Sequence, residues 1–392
     1  MLRKTTILYL IGEITSKAIP FLLMPYLTRM LGVEGFGDLN VYQAWIALVF
    51  VIVSYVQDAA IIRYVYFYGH RSVGLIVFVG RVYSTAVTVV GMVVSFIISS
   101  EYLFLVVVCS FSQSILKVEL TLHQAFKRPN NYLFILIISN LMSVILTMLI
   151  FEFYDGNAIN RIVAITLGNL ISIVVSCVFI RQVGFTFQWS KSKIKLAIVY
   201  IVSFSSPLLI NSIATMCKGQ FDRLLIAERF SVSELGEYAA GYQIASIFLL
   251  LLLATSRAVE PYCYESIKNK TINFKSLVVK ILQCLPLLIV PIIVSVFIPN
   301  SFYIWFLGEG FYNVKLYTVQ FTIAFSILGA YMFFSLYLNF FGHTKKIAMS
   351  NSISIVVYIV FLFYFSELGM EYIGLATIIS NLTLLSLSVF YS

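Results

Sequence analysis

Charge is scarce in this chain. Asp, Glu, Lys and Arg make up 11% of 392 residues, apolar residues make up 60%, and mean hydropathy is +0.97. No single water-soluble core can hide that much apolar surface, so a soluble globular domain is excluded. The formal net charge of +9 would elsewhere suggest nucleic acid. Here the basic residues alternate with apolar runs, and membrane topology accounts for them better.

Motifs that carry enzymatic chemistry are missing as well. There is no G-x-x-x-x-G-K-[ST] phosphate loop, which argues against ATP hydrolysis, and no G-x-S-x-G or H-E-x-x-H. The five cysteines (Cys109, Cys177, Cys217, Cys263, Cys284) form no C-x-x-C pair and read as small packing residues. His70, His123 and His343 match no metal spacing and read as solvated interfacial residues. The first apolar run lacks a small-residue cleavage site, so no cleavable signal peptide is expected.

What is present is a series of apolar runs, each near the ~20 residues that a bilayer requires. In the first half they cover residues 7–30, 41–62, 73–98, 102–122, 132–153 and 162–180. In the second they cover 196–221 (running on to 229), 239–256, 277–298, 316–340, 347–365 and 372–391. The expected fold is therefore all-α and integral to the membrane, with about twelve transmembrane helices. The longest segments outside the spans, 181–195 and 257–275, are short and basic. Lysine and arginine concentrate in the loops that share a side with the N-terminus, so both termini are expected in the cytoplasm. The outer loops are too short for the acceptor site of a membrane polymerase or glycosyltransferase.

The two halves repeat each other at a spacing of about 200 residues. PYLTRMLGVEGFGDLNVYQ (25–43) sets Arg29 against Arg229, Glu34 against Glu234, and Tyr42-Gln43 against Tyr242-Gln243. Six spans per half give the copies the same orientation. This predicts two six-helix lobes, 1–190 and 191–392, related by a pseudo-two-fold axis along the membrane normal, with a ligand path between them.

Several ionisable residues interrupt the spans, where each costs roughly 2.5–3.5 kcal/mol at the bilayer centre. Glu13 and Lys17 stand four apart in the first span, ahead of Pro20 and Pro25, which should bend it. Asp58, Arg81 and Lys280 lie in the second, third and ninth; Lys218, Asp222 and Arg223 lie in the seventh. Each can be read as a snorkelling or ion-paired structural charge. That reading suits Asp58 and Lys280, which are near an interface, and Arg81 fits either reading. Lys17, Lys218 and Arg223 are better assigned to a watery cavity. The 34 Phe and 25 Tyr are read as interfacial and core residues.

PYLTRMLGxxGFG (25–37) resembles the opening helix and loop of polysaccharide flippases. Phe221-Asp-Arg223 followed by GEYAAGY (236–242) is similar to their seventh helix and next loop. RAVEP (257–261), GEGFY (308–312) and GHTKK (342–346) resemble later landmarks. The nearest group is the O-antigen flippases, in a superfamily that also holds multidrug extrusion antiporters and lipid II flippases; the last usually have two more spans. The resemblance implies no enzymatic activity. It implies translocation of an undecaprenyl-pyrophosphate-linked oligosaccharide to the outer leaflet by alternating access in a bacterial inner membrane. A pyrophosphate would then meet Lys17, Arg81, Lys218 and Arg223, while Glu13, Asp58 or Asp222 would carry a coupling H+ or Na+. No other cofactor and no metal is expected. Expected partners are the lipid-linked oligosaccharide, membrane lipids, a polysaccharide polymerase and a chain-length regulator, but no nucleic acid. Capsule or exopolysaccharide repeat-unit export, multidrug cation antiport and a membrane polymerase remain as alternatives.

Overall fold

The computed structural model describes residues 2–70, 72–181, 190–269, 279, 283 and 285–391, and within them the side chains of all but 2–11, 13, 180–181, 258, 261 and 285. Lys280 and the Glu13 side chain lie outside the described residues, as do 182–189 of the first basic segment and 270–275 of the second. Among the described residues the chain is helical, with no strand. A helix satisfies its own backbone hydrogen bonds, which a lipid-facing chain cannot do with water.

The chain divides into two compact units. The first comprises Met1–Met24 and Asp38–Gln220; the second comprises Pro25–Gly37 and Phe221–Ser392. The first unit holds most of α1 (Leu2–Ser54), then α2 (Gln57–Tyr68), α3 (Val73–Ile97), α4 (Glu101–Ala125), α5 (Pro129–Phe153) and α6 (Ala158–Arg181). It also holds the larger part of α7 (Lys191–Arg229). Within it α4 is the hub, packed against α2, α3, α5 and α6. Hydroxyls and amides line that hub alongside buried apolar residues such as Leu116 and Leu120: Ser139 Oγ bonds Asn169 Oδ1 at 3.2 Å, and Asn169 Nδ2 donates to Ser112 Oγ at 3.1 Å. Such interhelical bonds, together with close packing, hold helices together where lipid supplies no hydrophobic drive.

The second unit contains the end of α7, α8 (Val232–Lys268), α9 (Leu285–Phe297), α10 (Asn300–Leu307), α11 (Val314–Phe340), α12 (Thr344–Leu368) and α13 (Ile373–Tyr391). Here α11 packs against α8, α9 and α13, and α12 packs chiefly on α13. Segment 257–275, read as a linker, is helical as far as Lys268, because no glycine interrupts the run. Residues 25–37 join this unit through a reciprocal crossing. A Cβ on Gly37 would stand 1.9 Å from the Val232 carbonyl oxygen, and one on Gly236 would stand 2.2 Å from that of Val33. The repeat seen in the sequence thus meets itself at this crossing.

Among the described residues ten stretches are long and apolar enough to span a bilayer, and the pair α9–α10, bent by 84°, makes eleven if it is counted as one span. One of the ten, Ile14–Tyr68, has 55 residues. As a straight helix it would be about 80 Å long, more than twice the ~30 Å hydrocarbon core, so it contains two spans. With the bent pair counted as one span, the described residues hold twelve. The first break lies at Gly32 (φ 67°, ψ −175°), not at Pro20 or Pro25. Only glycine adopts that backbone without strain.

Candidate functional site

The end of α7 carries Phe221-Asp-Arg223 into the interior of the second unit. Asp222 and Arg223 are 5% and 8% exposed. Two tyrosines four residues apart on α8 receive them, because i and i+4 lie on one helix face. The Tyr238 hydroxyl donates to Asp222 Oδ2 at 2.6 Å, and the Arg223 backbone N–H donates to Oδ1 at 2.9 Å. The Arg223 guanidinium lies 5.0 Å from the centre of the Tyr242 ring, within cation–π range. Behind these rings stand Tyr317, Phe321 and Phe325 of α11, in edge-on contacts of 5.0–5.7 Å between centroids. Tyr358 of α12 is buried with its hydroxyl directed at the same carboxylate. A buried acid and base are therefore set side by side in an aromatic box.

The neighbouring acid has a structural task. Glu237 Oε1 accepts from the backbone N–H of Tyr312 (2.8 Å) and Asn313 (3.0 Å), and its Oε2 accepts from Asn313 Nδ2 (3.0 Å). It ties the GEGFY loop to α8 and satisfies donors at the start of α11. The repeat-related arginines also have fixed partners: Arg29 Nη2 donates to the Trp305 carbonyl (2.6 Å), and Arg229 Nη1 to Ser366 Oγ (2.7 Å).

In the first unit, Arg81 of α3 pairs with Glu119 of α4. Glu119 is completely buried and also accepts a hydrogen bond from Ser176 of α6 at 3.0 Å. His123 Nε2 lies 3.2 Å from the same Ser176 oxygen, and its ring is 1% exposed. This overturns the reading of His123 as a solvated interfacial residue: helix packing encloses it. Arg161 is buried within α6, donating to the Ser143 carbonyl and to the hydroxyls of Ser143 and Thr147.

The structure brings Asp222 and Arg223 together in one unit, and sets Arg81 on Glu119 in the other. Lys17 is exposed, while Lys218 and Asp58 are half-buried in the first unit. Sequence reasoning singled out neither Glu119 with Ser176 and His123, nor Tyr238 with Tyr358. The i, i+4 spacing of Glu119 and His123 was the one available signal.

The family model for "Polysaccharide biosynthesis protein" matches residues 2–266. The chain belongs to that family. It is 34% identical over 388 residues to Lsg locus protein 1 of Haemophilus influenzae, covering 99% of this chain and 97% of the relative. A second Haemophilus influenzae membrane protein, of uncharacterised function, is 36% identical over 359 residues, or 91% of this chain and 88% of that one. Among solved structures, an inward-facing multidrug resistance MATE family transporter of the MOP superfamily superimposes with a TM-score of 0.70. That match has 12% identity and covers 96% and 93% of the two chains. A Vibrio cholerae MATE transporter gives 0.63 at 16% identity, covering 99% and 95%. The fold is the one seen in these multi-pass MATE transporters.

Proposed function

We propose that this chain flips an undecaprenyl-pyrophosphate-linked oligosaccharide, an O-antigen repeat unit, from the cytoplasmic to the outer leaflet of a bacterial inner membrane. The observation that carries the reading is a polysaccharide-family match over residues 2–266 in a chain with an exporter fold. The chemistry agrees with it. A pyrophosphate inside a low-dielectric path needs cations, and Arg223 and Arg81 are guanidinium groups that can bind it through two hydrogen bonds at once. Lys17 and Lys218 would add point charges. Alternating access would carry the lipid head across, driven by H+ or Na+ at Asp222, Asp58 or Glu13. Both termini would be cytoplasmic, and a polymerase and chain-length regulator would consume the product.

Deleting the gene in its host tests the proposal. Lipid-linked single repeat units should accumulate on the inner side and be cleared when the wild-type gene is restored. Unchanged surface glycan in the deletion strain would refute it. The aromatic box around Asp222 favours one second reading, export of an organic cation, which efflux of a cationic dye would reveal.

A further inference from the structure

The charged groups at Glu119 form a chain with a direction. Ser176 has one hydroxyl proton, and it points at Glu119 Oε2. The Ser176 oxygen must therefore accept from His123, so the His123 Nε2 carries a proton. Hydrogens thus point from imidazole to hydroxyl to carboxylate. The other ring nitrogen, Nδ1, is buried and meets no partner in the protein. At the far end, Arg81 is 40% exposed in its side chain, whereas Glu119 is wholly buried. Arg81 Nε also meets no partner in the protein, leaving the guanidinium with donors to spare. The charged groups that act on this chain are Arg81, reaching Glu119 from α3, and Arg128, reaching His123 from the turn after α4. From α6 the contact is the Ser176 hydroxyl.

A carboxylate enclosed within a membrane span is tolerated as an anion only while a cation faces it. Arg81 is that cation, and it is also the member of the pair that an outside anion can reach. From this geometry we infer that Glu119, linked through Ser176 to His123, is a proton-exchange site of the first unit, and that Arg81 couples it to binding of a phosphate anion. An arriving phosphate draws the guanidinium toward itself. Glu119 then loses its counter-ion and takes up a proton.

The step is a proton transfer alone. A hydronium ion from the Lys127–Arg128 end of α4 gives a proton to His123 Nδ1 and leaves as water. The Nε2 proton passes to Ser176 Oγ, and the former Ser176 proton moves to Glu119 Oε2. The histidine is left neutral in its other tautomer, and departure of the anion reverses the sequence. Linkage is reciprocal, so protonation must strengthen anion binding by the factor by which the anion strengthens protonation. Anion affinity should therefore rise as pH falls, by up to about tenfold per unit for one linked proton.

The inference rests on the anionic-substrate reading above, and one experiment separates the two. Full-length protein in lipid nanodiscs is titrated calorimetrically with farnesyl pyrophosphate, in buffers of different ionisation enthalpy. Titration of the pyrophosphate itself is common to every variant. Wild type should take up more protons than Glu119→Gln, by up to one per bound anion, while Glu119→Gln still binds. Ser176→Ala should take up as many protons as wild type but at least about tenfold more slowly, followed with a pH-indicator dye by stopped flow. Equal proton counts for wild type and Glu119→Gln would overturn the exchange site and leave the anionic-substrate reading standing. An unchanged rate in Ser176→Ala would overturn the relay. Absence of binding to either protein would overturn the anionic reading and the coupling with it.

Discussion

Asp222 owes its place to Tyr238. Replacing Tyr238 by Phe keeps the ring in its aromatic contacts and removes only the 2.6 Å bond to the carboxylate. A buried acceptor that loses its donor costs about 1–3 kcal/mol, so Tyr238→Phe should lower thermal stability in detergent. An unchanged unfolding temperature would mean that another donor holds Asp222. Arg223→Gln keeps most of the bulk and removes the charge. Charge-assisted contacts of about 1.5–3 kcal/mol correspond to a ten- to hundredfold fall in glycan export, with normal membrane insertion. Arg223→Lys should retain part of the activity. Asp222 and Arg223 were legible as candidates because a charge in an apolar run is conspicuous. Glu119 was not: Lys117 and His123 flank it, so the stretch looks like an interface, and only the packing of α3, α4 and α6 reveals it as enclosed. The tyrosines were hidden by abundance, since one ring among many aromatics carries no mark of its partner.

At the scale of elements, the first break in the chain and the crossing beside it depend on glycine. In the backbone of Gly32 any other residue costs about 1–3 kcal/mol, so Gly32→Ala should reduce the amount of folded protein. Gly37→Ala should be worse, because the obstacle at 1.9 Å is a backbone carbonyl that cannot rotate away. Gly219 offers the comparison: nothing lies within 4 Å of a Cβ there, and alanine is the better helix former. Membrane levels of Gly219→Ala should match wild type while those of Gly37→Ala collapse; similar levels for both would show that the crossing is looser than described. Several spans were legible from hydropathy nearly to the residue, as with 73–98 against Val73–Ile97, whereas 239–256 falls short of Val232–Lys268 at both ends. The position of the first kink was not, because Pro20 and Pro25 are the stronger breakers on paper. In a long helix a proline can be absorbed, whereas a positive φ needs glycine.

For the whole molecule, twelve spans and basic inner loops predict an orientation that labelling can check. In a background without native cysteines, single cysteines at Asp155 and Gly369 should react with an impermeant reagent from outside intact cells. Cysteines at Ser192 and Lys345 should not, although both positions are exposed; labelling at Ser192 would invert the topology. The membrane class was legible from composition, and the family from two motifs, 25–37 and 221–242. The grouping of residues 25–37 with the second unit was not, since it depends on a contact between segments about 200 residues apart. The most direct test of the central claim is translocation in proteoliposomes that contain only the purified protein and a polyprenyl-pyrophosphate-linked oligosaccharide. The account predicts that wild type moves the glycan to the opposite leaflet well above protein-free vesicles, and that Arg223→Gln falls to near that background. Movement by wild type no faster than in protein-free vesicles, or equal movement by both proteins, would contradict it.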